Sequence, residues 1–505
     1  MTSTGLLILM LVSGHSVINA LLQSRIPRPQ AHFIGRSKTL LSSSPSQDVE
    51  FDAVKVARQE RRAWRLEKRM EVLKFAGPAL TTVLADPVMS VIDALCVGRF
   101  CSTVQLASLG PALAVFNFVG YFFFFLNSAT CVLVTQALAV KDDERAKDVL
   151  SNALALALGS GTLLGALMLF FADPLIALTG CIQDLRGPAV RYLKVRAIGL
   201  PVVLATMVTN SALLGQIDTT TPLQCILLAS FLNTLGDLWL VPIMGASGAA
   251  MATLVSQVAA FPVLLFLNKM RKRVPIVLKR PKLPEMQKFF TTAGPLFFFE
   301  AGMSVCYLII ESLSTRFGVM SAAAFRALWS PLAVLGFFTY PLKQAAQVYL
   351  PKIFSEPREN SMVGGNAKIK EFIKVMATLS TVSGVGLSAL SILLTRNPQL
   401  FTADRDLWPM MKSFQPYVAT ILPVLGIAQV LEGVLIGSDD LSALSLAQIG
   451  NISVSALVMH FTNKANMGVY GTWVVYAAFV LTRTVQAALR VFSIKKPWAA
   501  DTIQR

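Results

Sequence analysis

Three separate patterns in this chain recur at nearly the same distance. Ala76-Gly77-Pro78 returns as Ala293-Gly294-Pro295, and Pro111-Ala112-Leu113-Ala114-Val115 returns as Pro331-Leu332-Ala333-Val334. Leu214-Gly215-Gln216-Ile217-Asp218 returns as Ile436-Gly437-Ser438-Asp439-Asp440. Counted from Gly77 to Gly294, Leu113 to Leu332 and Gly215 to Gly437, the offsets are 217, 219 and 222 residues. A near-constant offset across unrelated patterns means two homologous halves joined end to end. Each Ala-Gly-Pro is expected to open an apolar helix. Two such halves made of membrane helices form the architecture in which a transporter holds its substrate site between repeats.

The composition supports membrane helices. Of 505 residues, 54% are hydrophobic and 14% charged, with a mean hydropathy of +0.60; a soluble domain carries about 25% charge. Apolar segments of roughly 20 residues match the hydrocarbon thickness of a bilayer. About twelve fit, six near 73–97, 105–127, 147–171, 188–210, 222–243 and 248–268. The other six lie near 289–312, 322–348, 371–394, 411–436, 441–461 and 470–491. The net charge of +17 does not point to nucleic acid. The basic residues cluster beside apolar helices, without interleaved stacking aromatics, as topology determinants and anionic-lipid contacts do.

The domains follow from these segments. Residues 1–20 carry a short apolar core, GLLILMLV, of signal-peptide proportions; 21–47 are basic, serine-bearing and free of acid, like a plastid transit peptide. Signal followed by transit resembles the bipartite presequence of algae with secondary plastids. A basic juxtamembrane segment, 48–72, is expected to lie as a helix on the membrane surface. An N-lobe of six spans (73–268), a basic linker (269–288), a C-lobe of six spans (289–492) and a tail (493–505) complete the chain. An even span count puts the N-terminal segment, the linker and Lys495-Lys496 on one face, cytoplasmic or stromal by positive-inside counting. The location expected is a plastid envelope, with plasma membrane or endomembrane as alternatives.

Cys96, Cys101, Cys131, Cys181, Cys225 and Cys306 form no CxxC or CxxH pair, so neither a metal nor a redox motif is expected, and no cofactor. Cys96 and Cys101 flank one helix end, which leaves a pairing between them open. Function is expected at carboxylates inside the spans, since each costs at least about 2.5–3.5 kcal/mol in hydrocarbon. Asp86 and Asp93 are seven apart on the first span; Asn233 and Asp237 are four apart on the fifth. Both spacings put side chains on one helix face. Poorly solvated carboxylates favour holding a proton or Na⁺, the chemistry of a coupling site. Glu432, Asp439 and Asp440 sit near a span end, where a solvated carboxylate is the expectation. Lys343 and Gln344 lie in the eighth span; a buried lysine there would suit an anionic aromatic acid, and a snorkelling one the interface. His460, at a helix end, reads as structural, and the run Phe122 to Phe125 as packing or lipid-facing.

Longer motifs carry a family resemblance from about Phe75 to about Arg490. ADPVMSVIDALCVGR, LASLGPALAVFNF, LNSATCVLVTQALA, LLGQIDTTTPL, LNTLGDLWL, GASGAAMATLVSQ and EGVLIGSDDL occur in order. With them the chain resembles the multidrug and toxic compound extrusion (MATE) family in its DinF-like branch. Within that branch it resembles plant plastid-envelope members linked to export of salicylate or isochorismate. The resemblance implies an all-α membrane fold, two six-helix lobes about a central cavity, and alternating access. It implies an antiporter, monomeric and not an enzyme, exporting a small organic compound, an aromatic acid or xenobiotic, against H⁺ or Na⁺. Its N-lobe coupling positions match Asp93, Asn233 and Asp237. Asp86, Glu300, Glu311 and Lys343 stand as additional coupling or substrate positions, Glu300 being like the C-lobe carboxylate of other branches. Ala323-Ala324-Phe325-Arg326 departs from the AAHQ common in the second half. The alternatives are a lipid flippase of the same superfamily, which would have further spans or a strongly cationic cavity, and a membrane enzyme using Asp439-Asp440, which lacks a second DDxxD-like site.

Overall fold

The computed structural model describes residues 47–492 except 180–182, 272, 277–282, 315–323, 326–327, 330–331, 333, 356–364 and 401–404. Residues 1–46, part of the linker (272 and 277–282) and the tail (493–505) lie outside the described residues, as does Cys181. Among the described residues every regular element is helical. The first half comprises α1 (Gln47–Phe100), α2 (Thr103–Phe122), α3 (Phe124–Ala139), α4 (Asp143–Phe170), α5 (Gln183–Gly215), α6 (Thr220–Met244) and α7 (Ala246–Met270). The second comprises α8 (Leu283–Ser314), α9 (Tyr340–Ser355), α10 (Gly365–Arg396), α11 (Gln415–Gly437), α12 (Leu441–Lys464) and α13 (Val469–Phe492).

Ten helices among the described residues are long and apolar enough to cross a membrane. The first expected span lies within α1, and the eighth falls largely outside the described residues, α9 continuing it from Tyr340. Large apolar side chains stay exposed along the outer helices, including Phe118, Phe170, Trp239, Phe266, Leu446 and Phe461. A girdle of that kind needs hydrocarbon against it.

Three expectations about helix ends require correction. Both Ala-Gly-Pro motifs lie inside helices, α1 and α8, and open neither. The basic segment is no separate surface helix. It runs unbroken into the first span, making α1 a single helix of 54 residues. Between Gln47 and Ala76 the segment carries no proline or glycine to stop it. The second span, expected to end near 127, continues to Ala139 after a one-residue break at Phe123 between α2 and α3.

The two halves repeat each other at helix crossings. Where α4 crosses α5, a Cβ on Gly161 would stand 2.7 Å from Cα of Pro201. Where α10 crosses α11, a Cβ on Gly384 would stand 2.6 Å from Cα of Pro423. The third sequence pattern forms the same turn twice, with Ile217 at φ 60° and Asp439 at φ 62°. In each, the following aspartate N–H closes the turn, Asp218 to the Leu213 carbonyl at 2.9 Å and Asp440 to that of Leu435 at 3.0 Å. An arginine holds each aspartate: Arg273 on Asp218 at 3.0 Å and Arg490 on Asp440.

The halves meet toward the face that carries the N-terminal segment. Arg65 of α1 pairs with Glu371 of α10 at 3.2 Å. Phe75 stands edge-on to Tyr349 of α9 with centroids 5.8 Å apart, and the Tyr349 hydroxyl donates to the Glu71 carbonyl at 3.4 Å. Deeper in, Phe125 of α3 is edge-on to Phe297 of α8 at 5.5 Å, so this phenylalanine packs between the halves. Cys96, Cys101, Cys131, Cys225 and Cys306 are all free thiols.

Candidate functional site

The three N-lobe residues singled out by spacing come together. Asp93 on α1 is 7% exposed, and Asn233 and Asp237, one turn apart on α6, are 0% exposed. Thr253 of α7 completes the cluster, brought in by the tight α6–α7 hairpin. Gly245 makes that hairpin at φ 67°, and a Cβ there would meet the Gln105 side chain at 2.0 Å. Gln105 Oε1 in turn accepts from the Ala246 N–H at 2.8 Å, capping α7.

The Asn233 amide satisfies both its ends when its nitrogen faces Asp93. It then donates to Asp93 Oδ1 at 3.2 Å, while its oxygen accepts from the Thr253 hydroxyl at 3.2 Å and the Thr253 N–H at 3.3 Å. The Thr253 hydroxyl also lies 3.4 Å from Asp93 Oδ2 and 2.9 Å from the Ala249 carbonyl. Asp237 is different. Neither of its oxygens receives a donor from the protein, and its carboxyl faces that of Asp93 within hydrogen-bonding range. Two acceptors facing each other away from water require a proton or cation between them.

Arg196 and Tyr192, one turn apart on α5, also face this pair and act on it electrostatically. Sequence reasoning passed over both. The signal was an arginine within an apolar helix, which calls for an acidic neighbour.

A second charged cluster lies in the C-lobe. Arg483 of α13 donates through Nε at 2.9 Å and pairs through Nη2 at 2.8 Å with the same oxygen of Glu432 on α11. Lys343 of α9 stands 3.6 Å from the other Glu432 oxygen and 4.0 Å from Glu300 of α8. The Lys343 ammonium also lies over the rings of Phe299 and Tyr340, at 5.0 and 5.8 Å from their centroids. Two acids and two bases make the group neutral. Glu432 is thus corrected from a solvated span-end carboxylate to a buried, doubly paired one, because α11 is enclosed by α9, α10 and α13. Lys343 is buried rather than snorkelling. A cleft lined by Phe299, Glu432, Gln448, Asn451, Arg483 and Gln486 opens on this pair. Asp440 pairs with Arg490 in keeping with a helix-end role, and His460 is exposed beside Phe461. The side chains of Asp86 and Glu311 lie outside the described residues.

Residues 78–239, which include Asp93, Asn233 and Asp237, match the MatE family model. Relatives align over most of the chain. Protein DETOXIFICATION 47, chloroplastic, of Arabidopsis thaliana is 28% identical, covering 82% of this chain and 76% of that one. The chain carries a MatE domain and is similar to MATE proteins along most of its length. DETOXIFICATION 44, chloroplastic, of Arabidopsis thaliana is also 28% identical, over 85% of this chain and 83% of its own length. DNA damage-inducible protein F of Escherichia coli is 24% identical, over 84% and 90%. The fold agrees with solved MATE structures. A mutant of the Vibrio cholerae MATE transporter VcmN superposes with a TM-score of 0.75 at 14% identity, covering 85% of this chain and 97% of that one. A MATE structure in a bent conformation gives 0.71 at 18% identity, over 85% and 95%. The architecture is therefore the MATE arrangement of twelve membrane helices in two six-helix lobes.

Proposed function

We propose that this MATE protein is a secondary antiporter that exports a small organic compound by exchanging it against inward-moving H⁺ or Na⁺. The observation that carries the reading is the carboxyl pair Asp93 and Asp237, sealed from water and bridged to α7 through Asn233 and Thr253. Such a pair is costly when both groups are ionised and unpaired, so binding one cation changes its energy sharply. Three helices contribute to it, so its charge state biases how α1, α6 and α7 pack and which face the central cavity opens to. The contacts of Arg65 with Glu371 and Phe75 with Tyr349 support a form closed on the face bearing the N-terminal segment. The neutral C-lobe cluster is less suited to coupling, because Arg483 and Lys343 already compensate its acids.

The N-lobe and C-lobe are taken as 73–268 and 289–492, joined by the basic linker 269–288. Export of an aromatic acid or xenobiotic from the plastid envelope is supported by the acid-free N-terminus, by chloroplastic relatives, and by Lys343 as a buried cation near aromatic rings.

The test is transport in proteoliposomes of labelled salicylate, isochorismate and a cationic dye under imposed pH and Na⁺ gradients. Asp93→Asn and Asp237→Asn should abolish gradient-driven uptake while the protein still folds and inserts, and Glu300→Gln should have a smaller effect. Wild-type uptake by both aspartate variants, with loss in Glu300→Gln, would move coupling to the C-lobe. Fusing residues 1–47 to a fluorescent protein tests location, and cytosolic or cell-surface signal would refute plastid targeting.

A further inference from the structure

One helix interruption is written into both halves of the chain. Val119-Gly120-Tyr121-Phe122-Phe123-Phe124-Phe125-Leu126 returns as Leu335-Gly336-Phe337-Phe338-Thr339-Tyr340-Pro341-Leu342, with 216 residues from Gly120 to Gly336. In the first copy the helix breaks at Phe123, between α2 and α3. In the second it breaks at 338–339, between helical residues 334–337 and α9. The helices that follow, α3 and α9, are each 16 residues long, and both their ends are 216 residues apart. A membrane helix interrupted at the same point in both halves marks a functional position.

The two breaks are held differently, and α11 clamps the second. The Thr339 hydroxyl donates to Gln429 Oε1 at 2.7 Å, and Gln429 Nε2 donates to the Gly336 carbonyl at 3.4 Å. One side chain thus ties both sides of the break, at a threonine only 1% exposed. A Cβ on Gly426, one turn before Gln429, would stand 3.2 Å from Thr339 Cγ2 and 2.9 Å from the Ser380 hydroxyl of α10. One on Gly336 would stand 3.3 Å from a Leu425 methyl. In hydrocarbon no water competes for such bonds. The first half has other residues at the clamping positions. Phe123 stands for Thr339, and α5 presents Met207 and Leu204, 222 residues before Gln429 and Gly426. These side chains cannot make the two bonds. Nothing lies within 4 Å of a Cβ on Gly120.

We propose that Gln429 latches the break of the second half, so that bending is confined to the matching break at Phe123. Gln429 is a positioning residue: it fixes the angle at which the chain continues into α9. Bending at Phe123 swings α3, and with it the Phe125 ring that stands edge-on to Phe297 of α8. The 16 residues of α3 make an arm about 24 Å long, so a tilt of about 10° moves its far end by about 4 Å. A few element-terminal residues that absorb such a change are what a hinge requires. The inference does not depend on which carboxylates couple transport.

The experiment is hydrogen–deuterium exchange of the purified full chain in lipid nanodiscs, read by mass spectrometry as protection relative to unstructured peptide. In wild type the amides of 123–127 should exchange about ten-fold faster than those of 339–343, the ratio expected of two buried hydrogen bonds. Gln429→Met, which copies Met207, should bring the second break to the rate of the first, and Thr339→Val should do the same. Thr339→Ser keeps the hydroxyl and should behave as wild type. The rise should be confined to the break. Faster exchange along the whole of α10 and α11 in Gln429→Met would make Gln429 a general packing residue and overturn the proposal. Equal protection of the two breaks in wild type, or an unchanged second break in Gln429→Met, would overturn it as well.

Discussion

Gly161 and Pro201 bring α4 and α5 so close that backbone lies where a side chain would go, with 2.7 Å to the proline Cα. Since the obstacle is backbone, it cannot rotate away. Gly161→Ala should destabilise by about 1–3 kcal/mol, and Gly384→Ala, at the matching crossing, by a similar amount. Gly159→Ala is the control on the same helix. Nothing lies within 4 Å of a Cβ there, so the helix should gain about 0.5–1 kcal/mol. Thermal unfolding in detergent ranks the three, and equal behaviour of Gly159 and Gly161 would contradict the crossing geometry.

Arg483 and Glu432 form an ion pair whose value shows when half of it is removed. Arg483→Met leaves Glu432 buried with only Lys343 nearby and should cost about 3–5 kcal/mol. Pairing it with Glu432→Leu removes the stranded charge and should recover most of the loss. A double variant no more stable than the single one would show that the pair does not interact as described.

The Asp218 turn is expected to respond to acid. Burial works to raise the Asp218 carboxyl. The Thr221 hydroxyl and N–H, the Thr220 hydroxyl and Arg273 outweigh it and hold the carboxyl below its usual range. A carboxyl depressed in the folded state lends stability that is fully present above its unfolded value near 3.9 and fades as pH falls through the folded one. Asp218→Asn should therefore cost about 2 kcal/mol near neutrality, with the gap to wild type closing only below about pH 4. Melting curves across pH check it; a gap constant with pH would contradict the assignment.

Topology gives the last prediction. In a chain stripped of native cysteines, Lys141→Cys and Lys269→Cys should react with an impermeant maleimide from the same side, and Lys464→Cys from the opposite one. Labelling of Lys141 and Lys269 from different sides would break the six-plus-six arrangement.

How much of this could be read from residues alone depends on where partners sit in the chain. The repeat and the spans were legible because each rests on local pattern, and the Ile217 and Asp439 turns fell where the third motif recurred. Asn233 and Asp237 were legible through their one-turn spacing. Thr253 was not, because it reaches the site from another helix through the Gly245 hairpin. Glu432 was misjudged because nearness to a helix end says nothing of which other helices enclose that end. Arg196 and Arg483 were visible as charges in apolar helices, but their partners are long-range. The continuity of α1 was hidden because a basic amphipathic segment reads alike whether it lies on a membrane or stands off it.

That continuity has a mechanical consequence. Arg65, at the contact between halves, and Asp93, in the carboxyl pair, lie on one unbroken helix, 28 residues apart, which is about 42 Å at 1.5 Å per residue. A helix of that length acts as a lever. Tilting it by ~3° about Asp93 sweeps the Arg65 end through roughly 2 Å, enough to part an ion pair from contact distance. Repacking at the carboxyl pair is thereby geared up into a displacement on the scale of a gate.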